Sequence, residues 1–175
     1  MGIKAFIAGC SGPRLTAAER DFFRSQDPWG FILFGRNVES PAQVSALTAE
    51  LRDCVGRADA PILIDQEGGR VRRLRPPHWP DYPSGRVLGD VYRADPERGL
   101  RAAWLQSRLM ALDLSALGIN VDCLPVLDVP VAGAHDVIGD RAYSHHPYEV
   151  AVIGRAAADG LLAGGVLPII KHIPG

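Results

Sequence analysis

PILIDQEGGRVRR, residues 61–73, sets a short apolar run directly against a cluster of charges. Ile62, Leu63 and Ile64 form the kind of continuous β-branched and Leu segment that is buried on both faces of a parallel sheet. The charges begin where that strand ends, at Asp65 and Glu67, and in α/β proteins ligands collect outside the carboxyl ends of the strands. Gly68-Gly69 admits a tight turn or a close backbone approach, and Arg70, Arg72 and Arg73 follow it. A carboxylate can accept from two adjacent hydroxyls while a guanidinium donates through a rigid fork, so a loop holding both suits a polyhydroxylated ligand. The same residues would also make an ion pair that staples the loop, and the segment alone leaves both uses open.

The remaining composition narrows the classes. At 175 residues, 47% hydrophobic and 22% charged, the chain has the make-up of one soluble globular domain with a sizeable core. A net charge of -1 provides no general field for nucleic acid or an anionic membrane, so neither is expected as a partner. Cys10, Cys54 and Cys123 are odd in number and far apart, which suggests neither a disulfide framework nor a cysteine zinc site. The N-terminal MGIKAFIAGCSG has too short an apolar run for a membrane span and no basic region before it, so no signal peptide and a cytoplasmic location are expected.

Taken in order, Ile3 to Gly9 reads as a first strand, and Thr16 with Glu19 as a capping box opening a helix to about Gln26. Gly30 to Gly35 is a second apolar strand with Arg36-Asn37 at its carboxyl end. Ser40-Pro41 opens the next helix, whose buried stripe is Val44, Leu47, Leu51 and Val55. After the 61–73 segment, RPPHWPDYPSGRVLG (75–89) fits neither period and reads as a long loop, with His78, Trp79 and Tyr82 placed to wall a ligand site or to pack the loop down. Asp95-Pro96-Glu97 starts a helix to about Leu117 with Leu100, Ala103, Trp104, Ala111, Leu114 and Leu117 on one apolar face, widened by Leu105, Leu109 and Leu112. Ile119 to Val129 is the fourth strand, broken or edged at Pro125 and ending in Asp128. A helix from Pro147 to about Ala163 and a strand from Val166 to Ile170, closing in Lys171-His172, complete the pattern.

The loop AGAHDVIGDRAYSHH concentrates His135, Asp136, Asp140, Arg141, His145 and His146. It lacks the i, i+4 histidine pair with a third ligand that zinc sites show, so no metal and no cofactor are expected. Arg141 is placed either to reach the site or to brace its own loop against Asp140.

Strand and helix alternate through five strands, which requires a parallel sheet with right-handed crossovers. Arg36, Asp65, Asp128 and Lys171-His172 all fall at carboxyl ends, which favours a ring of contributors as in a (β/α)8 TIM-type barrel. Such a barrel takes about 250 residues. Residues 1–175 are therefore expected to supply its N-terminal portion, about the first five strands, with the remainder of the barrel as partner.

FGRN (34–37), DQEGGRVRR (65–73), PVLD (125–128), IGDRAYS (138–144) and KHIPG (171–175) resemble, in order and spacing, the N-terminal part of family 3 glycoside hydrolases of the bacterial β-N-acetylhexosaminidase type. The resemblance spans nearly the whole chain. It implies removal of terminal β-linked N-acetylglucosamine from cell-wall muropeptides during peptidoglycan recycling, by a retaining mechanism through a glycosyl-enzyme. It places the sugar-binding residues at Asp65, Arg73, Arg141, Lys171 and His172, with Asp128, Glu67 and Arg70 in support. The acid/base His-Asp loop and the aspartate nucleophile that the family carries are expected beyond Gly175. Ile173 and the IGD tripeptide depart mildly from the family pattern. Two competing readings are a non-catalytic sugar-binding half-barrel and another barrel enzyme, such as a metal-dependent aldolase or isomerase using Asp128, His135 and His172.

Overall fold

The computed structural model describes residues 2–133 and 135–173; Ala134 of the histidine-rich loop and Pro174 and Gly175 of the KHIPG motif lie outside them. The elements follow as β1 (Lys4–Ala8), α1 (Ala17–Gln26), β2 (Pro28–Leu33), α2 (Pro41–Val55) and β3 (Ile62–Ile64), then a hairpin of β4 (Gln66–Gly68) and β5 (Val71–Arg72). After it come α3 (Gly85–Ala94), α4 (Pro96–Ser115), β6 (Val121–Asp122), α5 (Pro147–Ala163) and β7 (Leu167–Pro168). Five strands form one parallel sheet in the order β1-β2-β3-β6-β7, so each strand lies beside its neighbour in barrel order.

Local signals explain most of the boundaries. Glu19 N–H donates to Thr16 Oγ1 at 3.2 Å and Thr16 N–H to Glu19 Oε2 at 2.8 Å, a reciprocal cap that satisfies two otherwise orphaned donors of α1. Ser40 accepts from Gln43 N–H ahead of Pro41, and Asp95 accepts from Arg98 N–H ahead of Pro96, starting α2 and α4. Every residue of β3 is buried, as its unbroken apolar run requires, and Phe31, Leu33, Leu47, Leu51, Met110 and Leu114 pack around it. Val55, assigned to the buried stripe of α2, is only partly buried, and Cys54 is buried instead.

Other expectations are corrected too. The 75–89 segment is not loop throughout, because α3 begins at Gly85. Its glycines are contact residues: a Cβ at Gly85 would sit 2.3 Å from the Arg141 carbonyl oxygen, and one at Gly89 1.7 Å from that of Tyr143. Of the two readings of this segment's aromatics, packing holds for Trp79 and Tyr82, both buried in the core with the Tyr82 hydroxyl donating to Asp113 at 2.7 Å, and Trp79 also lines a cleft with His78 and Arg73. On α4 the buried stripe is Ala103, Gln106, Ser107, Met110, Ala111 and Leu114, while Leu105, Leu109 and Leu112 face outward at 40–50% exposure. The fourth strand is only Val121–Asp122, since Pro125 has no N–H to offer a ladder; pairing resumes as one bridge between Val126 and Lys171.

Candidate functional site

Asp65 follows β3 at once, and the β4-β5 hairpin turns the chain so that Arg73 returns to it. The turn is made by Gly68 and Gly69 at φ +90 and +56, and a Cβ at Gly68 would lie 2.2 Å from the Pro83 carbonyl oxygen. Lys171 arrives from β7, where its backbone bonds Pro125 and Leu127 hold it beside Asp128. Arg141 ends the short turn Gly139–Arg141.

These side chains meet in one network. Lys171 Nζ donates to Asp65 Oδ1 at 2.9 Å and pairs with Glu67 Oε1 at 2.6 Å. Arg73 Nη2 donates to Asp65 Oδ2 at 2.9 Å. Arg141 lays its fork on Glu67, and its Nη2 also reaches His172 Nε2 at 3.2 Å. Because a guanidinium only donates, Nε2 is the acceptor there, which puts the ring proton on Nδ1 and directs it to Asp128 Oδ2 at 2.6 Å. In this arrangement His172 Nε2 accepts from Arg141.

The electrostatics are those of a half-buried ionic cluster. Burial pushes the Asp65 carboxyl up, but Lys171 and Arg73 outweigh it and hold the group below the usual carboxylate range. The paired oxygens of Glu67 raise Arg141 against the effect of its burial. Burial works to lower Lys171, and Glu67 and Asp65 override it, so its ammonium is also raised. Cys123, next to this cluster, has its thiol pushed up to about 12 by burial and then by Asp65, which leaves it a neutral, unreactive sulfhydryl.

The residues assigned to the sugar site and its support now have places. Asp65, Arg73, Arg141, Lys171, Glu67, His172 and Asp128 form one connected set. Arg70 stands outside it: it binds Asp140 Oδ1 at 2.9 Å and the carbonyls of Val137 and Ile138, so it braces the loop that delivers Arg141. That leaves Asp140 paired with Arg70, and Arg141 free to reach inward. A cleft of about 540 Å3, lined in part by Asp128, His135, Asp136, His145 and His172, adjoins the network. Among the described residues no group of three or more His, Cys, Asp or Glu side chains converges to hold a metal ion, so the His135 loop supplies no third donor to Asp128 and His172. Also among them, no helix is long and apolar enough to cross a membrane.

Sequence reasoning missed Gln66, Asp122 and Tyr143, all buried behind the cluster. The available signal was Asp122, an acid inside an apolar strand and two residues after Asn120, whose buried setting demands a partner.

The chain is similar to known proteins over nearly its whole length. The description Glycosyl hydrolase family 3 N terminal domain matches residues 13–175. A β-hexosaminidase of Methylococcus capsulatus is 42% identical over 94% of this chain and 47% of its own. NagZ from Neisseria gonorrhoeae, solved in complex with N-trifluoroacetyl-D-glucosamine, superposes with a TM-score of 0.90 at 34% identity, covering 100% of this chain and 51% of that one. A family 3 β-N-acetylglucosaminidase from Paenibacillus superposes at 0.85 and 33% identity over 97% of this chain and 32% of its own. The chain spans about half the length of the curated relatives it matches.

Proposed function

As the chain belongs to glycosyl hydrolase family 3, with the fold of the first part of a (β/α)8 barrel, we propose that it carries the sugar-holding residues of a β-N-acetylhexosaminidase. The substrate in this reading is terminal β-linked N-acetylglucosamine of cell-wall muropeptides, processed in the cytoplasm in a barrel completed by further strands. The observation that carries it is the Lys171 ammonium bridging Asp65 and Glu67, with Arg73 on the other oxygen of Asp65 and Arg141 on both oxygens of Glu67, at the carboxyl ends of parallel strands. The N-trifluoroacetyl-D-glucosamine complex of the Neisseria protein supports the ligand class.

Asp65 uses each carboxylate oxygen for one cation, so each keeps an acceptor site for a sugar hydroxyl, while Lys171 and Arg73 can donate to the same ring. A ring flattening toward an oxocarbenium ion would move against these fixed dipoles and charges, which is where they stabilise it. Both oxygens of Asp65 are engaged by cations, and it is read as a binding group; the acid/base and nucleophile are assigned to none of the cluster residues. The test is hydrolysis of 4-nitrophenyl N-acetyl-β-glucosaminide by full-length enzyme carrying this segment. Asp65→Ala is expected to lower turnover by about two orders of magnitude or more. Near-wild-type kinetics would remove Asp65 from the site.

A further inference from the structure

Gln66 stands between the two acids of the cluster, and strand alternation turns its side chain away from theirs. It is 1% exposed, and every polar group it owns beyond its backbone carbonyl is engaged. Its N–H donates to Asp122 Oδ1 at 3.0 Å. Its Oε1 accepts from the N–H groups of both Arg73 and Leu74 at 3.0 Å, and its Nε2 donates to the Leu74 carbonyl at 3.2 Å. The amide therefore closes the hairpin at the residue where Arg73 begins. Arg73 Nε is buried with no hydrogen-bond partner, so two anchors locate this side chain: Asp65 at its tip and Gln66 at its backbone.

We propose that Gln66, tied to Asp122 on β6, is a positioning residue that sets the spacing between Arg73, Asp65 and Glu67. Asp122 is fully buried, its Oδ1 accepts from Gln66, and its Oδ2 has no partner. Burial raises its carboxyl first; the Gln66 N–H and Lys171 oppose that, and Asp65 and Glu67 add to it. The Tyr143 hydroxyl is likewise raised, by burial and then by Glu67 and Asp122. Asp122 Oδ1 anchors the 65–66 peptide, and its burial disfavours a third negative charge behind Lys171.

The kinetic arm rests on the hexosaminidase reading, and the structural arm does not. In full-length enzyme, Gln66→Met is expected to lower kcat/KM on 4-nitrophenyl N-acetyl-β-glucosaminide by about tenfold to 100-fold, the scale of a site displaced by roughly 1 Å. Gln66→Glu, which keeps acceptor oxygens for both N–H groups, is expected to restore part of that loss. In an Arg73→Ala background Gln66→Met should cost little more, because the two changes remove one interaction. Full additivity would show a merely structural role and overturn the proposal. If Gln66→Met does not fold, the Asp122 pair carries the same test: Asp122→Asn keeps the acceptor and most of the activity, Asp122→Ala loses at least about tenfold. Equal activity of the two would overturn it. If the wild type cleaves no such substrate, the functional reading fails, and crystal structures still decide the positioning claim: Arg73 leaves Asp65 in Gln66→Met, or stays and refutes it.

Discussion

Arg141 lies fork to fork on Glu67, Nε 2.9 Å from Oε2 and Nη2 2.8 Å from Oε1, although 74 residues of chain separate the two. The Glu67 side chain is 4% exposed and also takes the Lys171 ammonium at 2.6 Å, so one buried carboxylate pairs with two cations. A bidentate, desolvated arrangement of this kind is costly to break from one side, because the partners stay behind unpaired.

Glu67→Ala in the full-length enzyme is accordingly expected to lower unfolding free energy by about 3–5 kcal/mol in denaturant titrations. Glu67→Gln, which retains the shape and one acceptor, should cost less. A loss below about 1 kcal/mol for the alanine variant would place the pair among screened surface bridges.

Asp122 gives a pH dependence of definite sign. Its folded carboxyl is raised above the ordinary 3.8, so the native state keeps a proton that the unfolded chain releases. Its contribution is fully present below about pH 4 and is lost as pH rises toward the folded value, with a slope of up to about 1.4 kcal/mol per pH unit. Asp122→Asn has no such proton. Unfolding measured from about pH 4.5 to 8 should show the Asn variant gaining on the wild type as pH increases; a constant difference across that window would mean that Asp122 titrates normally.

The sheet exposes apolar side chains along both outer strands: Ile3 and Ile7 are 53% and 42% exposed on the β1 side, Leu167 and Ile170 57% and 51% on the β7 side. Open strands of a buried-sheet type recruit other chains. A polypeptide of residues 1–175 expressed alone is expected to self-associate at low micromolar concentration in sedimentation velocity. A monodisperse monomer with cooperative unfolding would contradict the view that further strands cover those edges.

Much of this could be read from the chain because short-range chemistry fixes it. The Thr16–Glu19 box, Ser40-Pro41 and Asp95-Pro96 each satisfy or remove backbone donors within one turn, so the helix starts were legible. The Ile62–Ile64 run and the charges behind it likewise announced a strand and its carboxyl end. What was not legible depends on contacts far along the chain. Gly85 and Gly89 read as loop formers until the Arg141–Tyr143 segment is seen against them. Leu105, Leu109 and Leu112 were assigned inward on type alone, but the small residues Ala103, Ser107 and Ala111 determine which face of α4 packs. The membership of the cluster followed from the five motifs. Its wiring, including the pairing of Arg70 with Asp140 and the Gln66–Asp122 tie, required three dimensions.

The central claim is that this cluster holds a terminal N-acetylglucosamine, and a crystal structure of the full-length enzyme with that sugar tests it most directly. The account predicts sugar hydroxyls within about 2.7–3.2 Å of the Asp65 carboxylate and the Lys171 ammonium, with Arg73 donating to the same ring. A sugar bound elsewhere, with Asp65, Glu67 and Lys171 still bonded only to their protein partners, would contradict it.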